Sequence, residues 1–350
     1  MTTNLVQLFF SSELITTPLP AWDPTPMINQ RQFALCIFFT TATFLAFHAN
    51  VSAQSSLKKS RNSKPATTLA DLSGLAWTGG NSFAAVHDAK VADELFKPRV
   101  ANLQLPRSLR GITFTDQRTT FSGVTPNDLE SVARIPDSND LLLVESGDSK
   151  NDPAIQRIFK AAVKKNRVRI IDQTNWPVNI TNVEGTAVAK LDDRFFFVFA
   201  ERADNQMSTE LSWIEFFPKK MRFGKQVMSV KFDSPDPQRF NRVIVGLDID
   251  SNGLIYSVSA FDAEAAGLPD PDNGPFAAGV YMIGKIKLQN DEPAIDLLPH
   301  PIEYALLDGF KVESVAVRES NEDGPPQLFI GTDDENYGGT LRPLPLPIPR

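Results

Sequence analysis

The stretch N-V-E-G-T-A-V-A-K-L-D-D-R-F-F-F-V-F-A-E-R, from Asn182 to Arg202, has the form of a β-hairpin. Two apolar runs flank an L-D-D turn, and a carboxylate stands at the outer end of each run, at Glu184 and Glu201. The two outer ends of an antiparallel hairpin lie side by side. The fold must therefore explain why two acidic residues meet at the end of an apolar hairpin.

The same pattern occurs five times. The copies are D-L-S-G-L-A-W from Asp71, D-L-E-S-V-A-R from Asp128, N-V-E-G-T-A-V from Asn182, V-I-V-G-L-D-I from Val243 and K-V-E-S-V-A-V from Lys311. Their starts are 57, 54, 61 and 68 residues apart, which predicts an all-β fold, a β-propeller of four-stranded blades. Five blades are visible, and the spacings leave room for a sixth. We expect N- and C-terminal strands to close the ring and remove exposed edges.

Small residues recur at two places in the first strand of each copy. One column holds Gly74, Ser131, Gly185, Gly246 and Ser314, and the other holds Ala76, Ala133, Ala187 and Ala316, with Asp248 in the fourth copy. A period of two puts both columns on one face of the strand. Innermost strands crowd around a propeller axis, so small side chains are expected there.

The N-terminal part of the chain predicts export. Residues 27–53 combine a basic start, an apolar core and a small-residue cleavage site, which is typical of a secretory signal peptide; a single membrane anchor is the alternative. Residues 1–26 are interpreted as an upstream mis-start, residues 54–68 as a flexible leader and residues 69–350 as one propeller domain. We expect a periplasmic or extracellular protein without stable membrane insertion.

Composition excludes several kinds of site. The net charge of −7 disfavours nucleic acid and anionic membranes as partners. The only cysteine, Cys36, lies in the signal segment, and the mature chain keeps two histidines, His87 and His300, which disfavours zinc. No phosphate-binding loop, dinucleotide fingerprint or G-x-S-x-G motif is present. The expected partner is a small molecule, and a monomer is expected.

Acidic residues mark the strand ends of every copy. The first strands begin with Glu130, Glu184 and Glu313, and the second strands end with Asp88, Glu145, Glu201, Asp262 and Asp333. Propeller geometry places these ends on one face, so we predict an acidic ring at the channel mouth. Clustered carboxylates repel one another, and a bound cation, a retained proton or basic neighbours could compensate. Acids at strand ends can also simply cap loops.

The oxygen-rich pattern favours a hard divalent cation, Ca²⁺ first. The predicted metal ligands are Glu130, Glu184, Glu313, Asp88, Asp262 and Asp333. Glu145 or Glu201 is the predicted general base, with His87 as a further acid/base candidate. Arg202, Lys90 and Asp334, which lies in the acidic loop T-D-D-E-N-Y-G-G, are the residues predicted to contact substrate.

The copies D-L-S-G-L-A-W…F-A-A-V-H-D, D-L-E-S-V-A-R…L-L-L-V-E-S-G-D and N-V-E-G-T-A-V…F-F-V-F-A-E-R resemble the phytase-like family, also called the "esterase-like activity of phytase" domain. A looser similarity is to calcium-dependent propellers of the gluconolactonase and paraoxonase kind. The resemblance implies an exported propeller whose recurring acids hydrolyse a phosphoester. It leads us to expect a metal-dependent hydrolase of a phosphoester or other ester, and the alternative is a non-catalytic ligand- or protein-binding propeller.

Overall fold

The structure is a computed structural model, and it describes residues 70–89, 99–105, 113–116, 126–147, 156–164, 167–320, 326–335 and 338–345. The expected mis-start segment, signal peptide and leader lie outside these residues, as does Lys90, so the predictions made for them stay predictions. Within the described ranges, no helix has the length and apolar character needed to cross a membrane.

The described strands form five antiparallel sheets that follow one another along the chain. Blade 1 consists of β1 (Gly74–Gly79), β2 (Ser82–Val86), β3 (Val100–Gln104) and β4 (Thr113–Asp116). Blade 2 consists of β5 (Leu129–Arg134), β6 (Asp140–Glu145), β7 (Arg157–Lys164) and β8 (Arg167–Asn175). Blade 3 consists of β9 (Val183–Leu191), β10 (Arg194–Glu201), β11 (Ser208–Phe217) and β12 (Arg222–Asp233). Blade 4 consists of β13 (Arg242–Ile249), β14 (Leu254–Phe261), β15 (Ala277–Gln289) and β16 (Glu292–Asp308), and blade 5 of β17 (Val312–Arg318), β18 (Gln327–Thr332) and β19 (Leu341–Pro343).

The first strand of each blade is the innermost, and these five strands form a closed ring. β1 contacts β5, β5 contacts β9, β9 contacts β13, β13 contacts β17, and β17 contacts β1. The predicted five-bladed propeller is confirmed, and the closed series leaves no place for a sixth blade. Backbone hydrogen bonds link the blades near the mouth, since the Val183 amide donates to the Ser146 carbonyl at 2.8 Å and the Val243 amide to the Arg202 carbonyl at 2.8 Å.

Both chain ends contribute to the closure between blades 5 and 1. The C-terminal part supplies β19, which pairs with β18. On the N-terminal side, the Leu72 amide donates to the Thr332 carbonyl at 3.0 Å, and the Ser314 hydroxyl donates to the Leu72 carbonyl. A fourth strand of blade 5 does not lie within the described residues.

The hydrophobic core lies between blades, which explains the unbroken apolar run of β10. Phe196 and Val198 pack towards blade 4, whereas Phe197 and Phe199, on the other face, pack towards blade 2. A strand buried on both faces is a continuous apolar run and does not alternate with polar residues. The same arrangement closes the ring, where Phe83 of blade 1 and Phe329 of blade 5 have ring centroids 4.6 Å apart.

The small residues of the inner strands have a packing reason, as predicted. A Cβ atom on Gly246 would lie 2.7 Å from the backbone oxygen of Glu313, and one on Gly74 would lie 2.9 Å from the Cα of Ser131. Asp248, the exception in the alanine column, accepts a hydrogen bond from the Val317 amide at 2.7 Å, and burial raises its pKa to about 7. Inner strands therefore approach each other too closely for larger side chains at Gly74 and Gly246.

Replacing Gly246 by alanine should destabilise the propeller, because the new methyl group would collide with the backbone of β17. We expect a loss of roughly 1–3 kcal/mol in the free energy of unfolding, as for other overpacked sites. Urea unfolding of the purified protein measures it. The matched control is Gly224→Ala in β12, where the nearest atom to the new Cβ is the Glu215 Cβ at 3.3 Å. Equal stability of the two variants would contradict the close approach of β13 and β17.

Candidate functional site

Three of the predicted glutamates stand at the same structural defect, a β-bulge at the start of an inner strand. Leu129 pairs with Glu145 and Ser131 with Val144, so Glu130 is left as the extra residue. Glu184 and Glu313 are the extra residues at the corresponding places in β9 and β17. A bulge re-aims a side chain, and here all three glutamates line one pocket at the mouth of the ring.

This mouth pocket has a volume of about 470 Å³ and is lined almost entirely by charged side chains. It is lined by the carboxyl groups of Asp88, Glu130, Glu184, Asp204, Glu264, Glu313, Asp333 and Glu335, the cations Arg202, Arg242 and Lys311, and Asn182 and Ala265. The predicted metal ligands Asp88, Glu130, Glu184, Glu313 and Asp333 are thus brought together, with the predicted substrate residue Arg202.

Glu145 and Glu201 do not line the mouth pocket. Each pairs directly with a core residue of the inner strand, Leu129 or Val183, and directly paired residues share a face of the sheet. The position that points into the pocket is one residue later, at Arg202 in blade 3. The structure therefore places neither predicted general base in the pocket.

The two glutamates are instead satisfied locally. Glu145 is fully buried and binds the Arg157 guanidinium, with Nη2 2.6 Å from Oε1, and the Arg157 and Asn127 amides. Burial raises the pKa of Glu145, although these hydrogen bonds oppose the shift. Glu201 accepts a hydrogen bond from the Thr181 amide at 2.7 Å and lines a separate groove.

The remaining predicted site residues lie beside the mouth pocket. His87 is buried and contacts the Asp71 carbonyl through Nδ1. Asp262 is buried 3.1 Å from Arg242 Nη2. Asp334 accepts a hydrogen bond from the Lys311 amide at 2.8 Å and lines a neighbouring groove.

Two cations that the sequence analysis missed organise the pocket. Arg242 lies 3.3 Å from Glu313, 3.1 Å from Asp262 and 3.1 Å from Asp204, measured between nitrogen and oxygen. Lys311 Nζ lies 3.2 Å from Glu313 and 3.4 Å from Asp333, and it also bonds Glu335.

The role of Lys311 could have been predicted from the repeat, because it stands in the column where other copies have Asp71, Asp128 and Asn182. The role of Arg242 could not be predicted from the repeat. The irregular strand pairing between Arg242 and Gly246 that positions it occurs among the described blades in blade 4 alone.

Burial and these cations give the pocket carboxyl groups different proton affinities. Burial raises the pKa of Glu184, although Arg242 and Arg202 oppose the shift. Burial acts in the same direction on Glu313, but Lys311 and Arg242 outweigh it and hold the pKa of Glu313 below its ordinary value. Asp333, buried beside the Glu313 charge, has a pKa raised well above the ordinary value. The pocket thus holds carboxyl groups with raised pKa values next to one whose pKa is lowered.

Glu184 has one free acceptor atom. Its Oε1 receives a hydrogen bond from Arg202 Nη1 at 2.8 Å, while Oε2 is buried without a hydrogen-bond partner among the described residues. Glu184 is 4% exposed and lines the mouth pocket, so a small rotation of its carboxyl group would present Oε2 to a bound molecule.

The carboxylates of Asp88, Asp128 and Glu130 offer ligand atoms within 4.8 Å of one another, a spacing that could hold a cation. Around Glu184, Glu313, Asp262 and Asp333, positive charge comes from Arg202, Arg242 and Lys311. A divalent cation among those four would face fixed positive charge, so the predicted Ca²⁺, which stays a prediction, fits the first cluster better.

The sequence matches no protein-family model and no curated protein. Solved structures with a similar fold include the Bombyx mori GH32 beta-fructofuranosidase BmSUC1, at 14% identity and a TM-score of 0.46, which is matched over 78% of this chain and 59% of that one. A thermostable family-43 glycoside hydrolase matches at 10% identity and a TM-score of 0.48, over 79% of this chain and 88% of that one. The Malassezia sympodialis allergen Mala s 1 matches at 9% identity and a TM-score of 0.36, over 78% of this chain and 91% of that one. Such values are too low to transfer an activity to this chain.

The resemblance to phytase-like and gluconolactonase-type propellers is wrong. No family model matches the chain, and the solved structures with a similar fold include glycoside hydrolases of the GH32 and family-43 kinds. The expectation of a phosphoester or ester hydrolase, which depended on that resemblance, is wrong with it. The pocket gives a physical reason, because eight carboxyl groups against three cations would repel a phosphate group.

Replacing Arg242 by methionine should remove one of the two cations that contact the buried Glu313 and Asp262, leaving Lys311 at 3.2 and 3.9 Å from them. We expect a loss of roughly 3–5 kcal/mol in the free energy of unfolding at pH 8. The loss should shrink at pH 5, because the pKa of Glu313, which Arg242 helps to lower, is higher in the variant, and stability is regained as Glu313 takes up a proton. Urea unfolding at both pH values measures it.

The matched control is Arg239→Met, whose partner Asp308 is 79% exposed in its side chain. Its stability should stay within about 1 kcal/mol of the parent protein. If Arg242→Met were as stable as this control at pH 8, the charge network would not hold the mouth together.

Proposed function

We propose that the protein is a hydrolase that cleaves a glycosidic bond of a neutral carbohydrate in the mouth pocket. One observation carries this proposal: Glu184 and Glu313 line the same pocket and have pKa values shifted in opposite directions. Glycosidic bonds are hydrolysed by a pair of carboxyl groups, one protonated and one ionised.

The surroundings of each glutamate suit one of these roles. Glu184 is the general acid: its Oε1 is fixed by Arg202 and its unpartnered Oε2 can carry a proton to the leaving oxygen. Glu313 is the ionised partner, because Lys311 and Arg242 stabilise its negative charge. It would stabilise the positive charge that develops on the sugar ring, either as the nucleophile or as the base for a water molecule.

The lining favours a polyhydroxylated neutral substrate. Sugar hydroxyl groups can donate hydrogen bonds to the carboxylates and accept them from Arg202, Arg242 and Lys311. A hydroxyl group can therefore bond either kind of lining residue, whereas an anion would be repelled by most of them. The predicted small-molecule partner becomes, in this proposal, a carbohydrate.

Replacing Glu184 by glutamine should remove the general acid while keeping the shape and the Arg202 contact. We expect hydrolysis to fall by about 10²-fold or more. Release of reducing sugar from gluco-, xylo-, arabino- and fructo-oligosaccharides measures it, with Glu303→Gln, an exposed site on β16, as the matched control. Equal rates for Glu184→Gln and the control on a cleaved substrate would exclude Glu184 as the acid.

The rate of hydrolysis should be bell-shaped in pH. It should fall at low pH only below the ordinary glutamate value of 4.5, because Glu313 has a lowered pKa and must stay ionised. The rate should also fall as the pH rises beyond 4.5, when Glu184, whose pKa is raised, loses its proton. A rate that rises continuously with pH across this range would show that no carboxylic acid donates a proton.

The second candidate is a propeller that binds a carbohydrate without cleaving it. The observation in its favour is that Arg202, Arg242 and Lys311 all already bond carboxylates within the pocket. A charge network of this kind can stabilise the mouth without any chemistry. Calorimetric binding of an oligosaccharide that the protein does not cleave would favour this candidate.

A further inference from the structure

A second cavity lies between blades 4 and 5. It has a volume of about 870 Å³, within the range of small-molecule sites. This groove, called here the aromatic groove, is lined by Phe261, Phe276 and Phe310 with Asn273, Asp308, Asp334 and Thr340, and by smaller residues between them. None of these residues belongs to the mouth pocket.

The aromatic groove and the mouth pocket are built on the same three chain segments. Phe261, Phe310 and Asp334 line the groove. Residues close to them in the sequence line the pocket: Glu264 and Ala265 after Phe261, Lys311 after Phe310, and Asp333 and Glu335 on either side of Asp334. Consecutive Cα atoms are about 3.8 Å apart. The groove and the pocket are therefore lined by neighbouring residues of the same segments.

Asp334 connects two of these segments by hydrogen bonds. Its carboxylate accepts hydrogen bonds from the Lys311 amide at 2.8 Å and from the Thr332 hydroxyl at 2.7 Å. Lys311 in turn extends its ammonium group to Glu313 and Asp333 in the pocket. Asp334 thus lines one cavity and holds the backbone of Lys311, the cation that lines the other.

The groove combines apolar ring faces with polar edges. Phe261, Phe276 and Phe310 are all half-buried, and the Arg342 guanidinium lies 4.4 Å from the Phe310 ring centroid. Asp308 and Thr340 supply oxygen atoms at the edges. A sugar ring has the matching chemistry, because its C–H faces are apolar and its rim carries hydroxyl groups.

We propose that the aromatic groove binds the second unit of an oligosaccharide whose first unit occupies the mouth pocket. The proposal rests on the proposed function for the chemistry of the ligand. It makes the substrate an oligomer and not a single sugar with a small leaving group. Phe276 is the residue to test, because it belongs to none of the hydrophobic clusters of the described residues and its loss should leave the core intact.

The test is calorimetric binding of gluco-, xylo-, arabino- and fructo-oligosaccharides of one to four units, with hydrolysis of the same sugars followed in parallel. The proteins are the parent chain, Phe276→Ala, Glu184→Gln and, as the matched control, Phe217→Ala, a phenylalanine 43% exposed on blade 3. We expect the parent to bind a two-unit sugar at least about 10-fold more tightly than its one-unit sugar. Phe276→Ala should lose most of this gain without losing affinity for one unit, and Phe217→Ala should keep it.

The outcomes separate this proposal from the proposed function. If the parent cleaves a sugar but affinity does not depend on length, or if Phe276→Ala keeps the gain, the groove is not a second subsite and the hydrolase stands. If affinity depends on length and on Phe276 but nothing is cleaved, the subsite stands and the hydrolase falls. If no sugar binds, both fall.

Discussion

The mouth pocket depends on the close approach of five inner strands around one axis. The approach admits only small side chains along the strands, as the contact between Gly246 and the Glu313 backbone shows. Larger polar side chains are accommodated where the strands begin and the ring opens. The bulges at Glu130, Glu184 and Glu313 turn carboxylates into that opening, so the packing that closes the ring also concentrates negative charge at one end of it.

Concentrated negative charge is unfavourable unless it is compensated. Here cationic side chains of the same chain supply compensation. Arg202, Arg242 and Lys311 are themselves largely buried, and the surrounding carboxylates raise the pKa of Lys311 although burial opposes this. Each ion is therefore held by several partners, and removal of one weakens the charge compensation of those that remain. Groups fixed in this way need little reorganisation when a polar ligand enters, which is a property of preorganised sites.

The repeat allowed the ring and its small-residue columns to be predicted from the sequence, because these follow from spacing and period. The pocket could be predicted only in part. Glu145 and Glu201 align with Asp88 and Asp333 by eye, yet Glu201 pairs with Val183 as Thr332 pairs with Val312, so the pocket position of blade 3 is Arg202. The periodic sequence pattern does not show where a bulge occurs, and a register shift of one residue exchanges the two faces of a strand.

The departures from the repeat are what make the pocket chemically useful. A ring of identical acids related by rotation would give every carboxyl group the same surroundings and the same pKa. In blade 4, Val245 is buried in the core and Arg242 reaches the pocket, and in blade 5, Lys311 replaces an acidic or amide residue. Both cations contact Glu313, whereas one oxygen of Glu184 has no hydrogen-bond partner in the part of the chain that the structure describes. The broken symmetry therefore shifts the pKa values of Glu184 and Glu313 in opposite directions, and the proposed acid–base chemistry requires that separation.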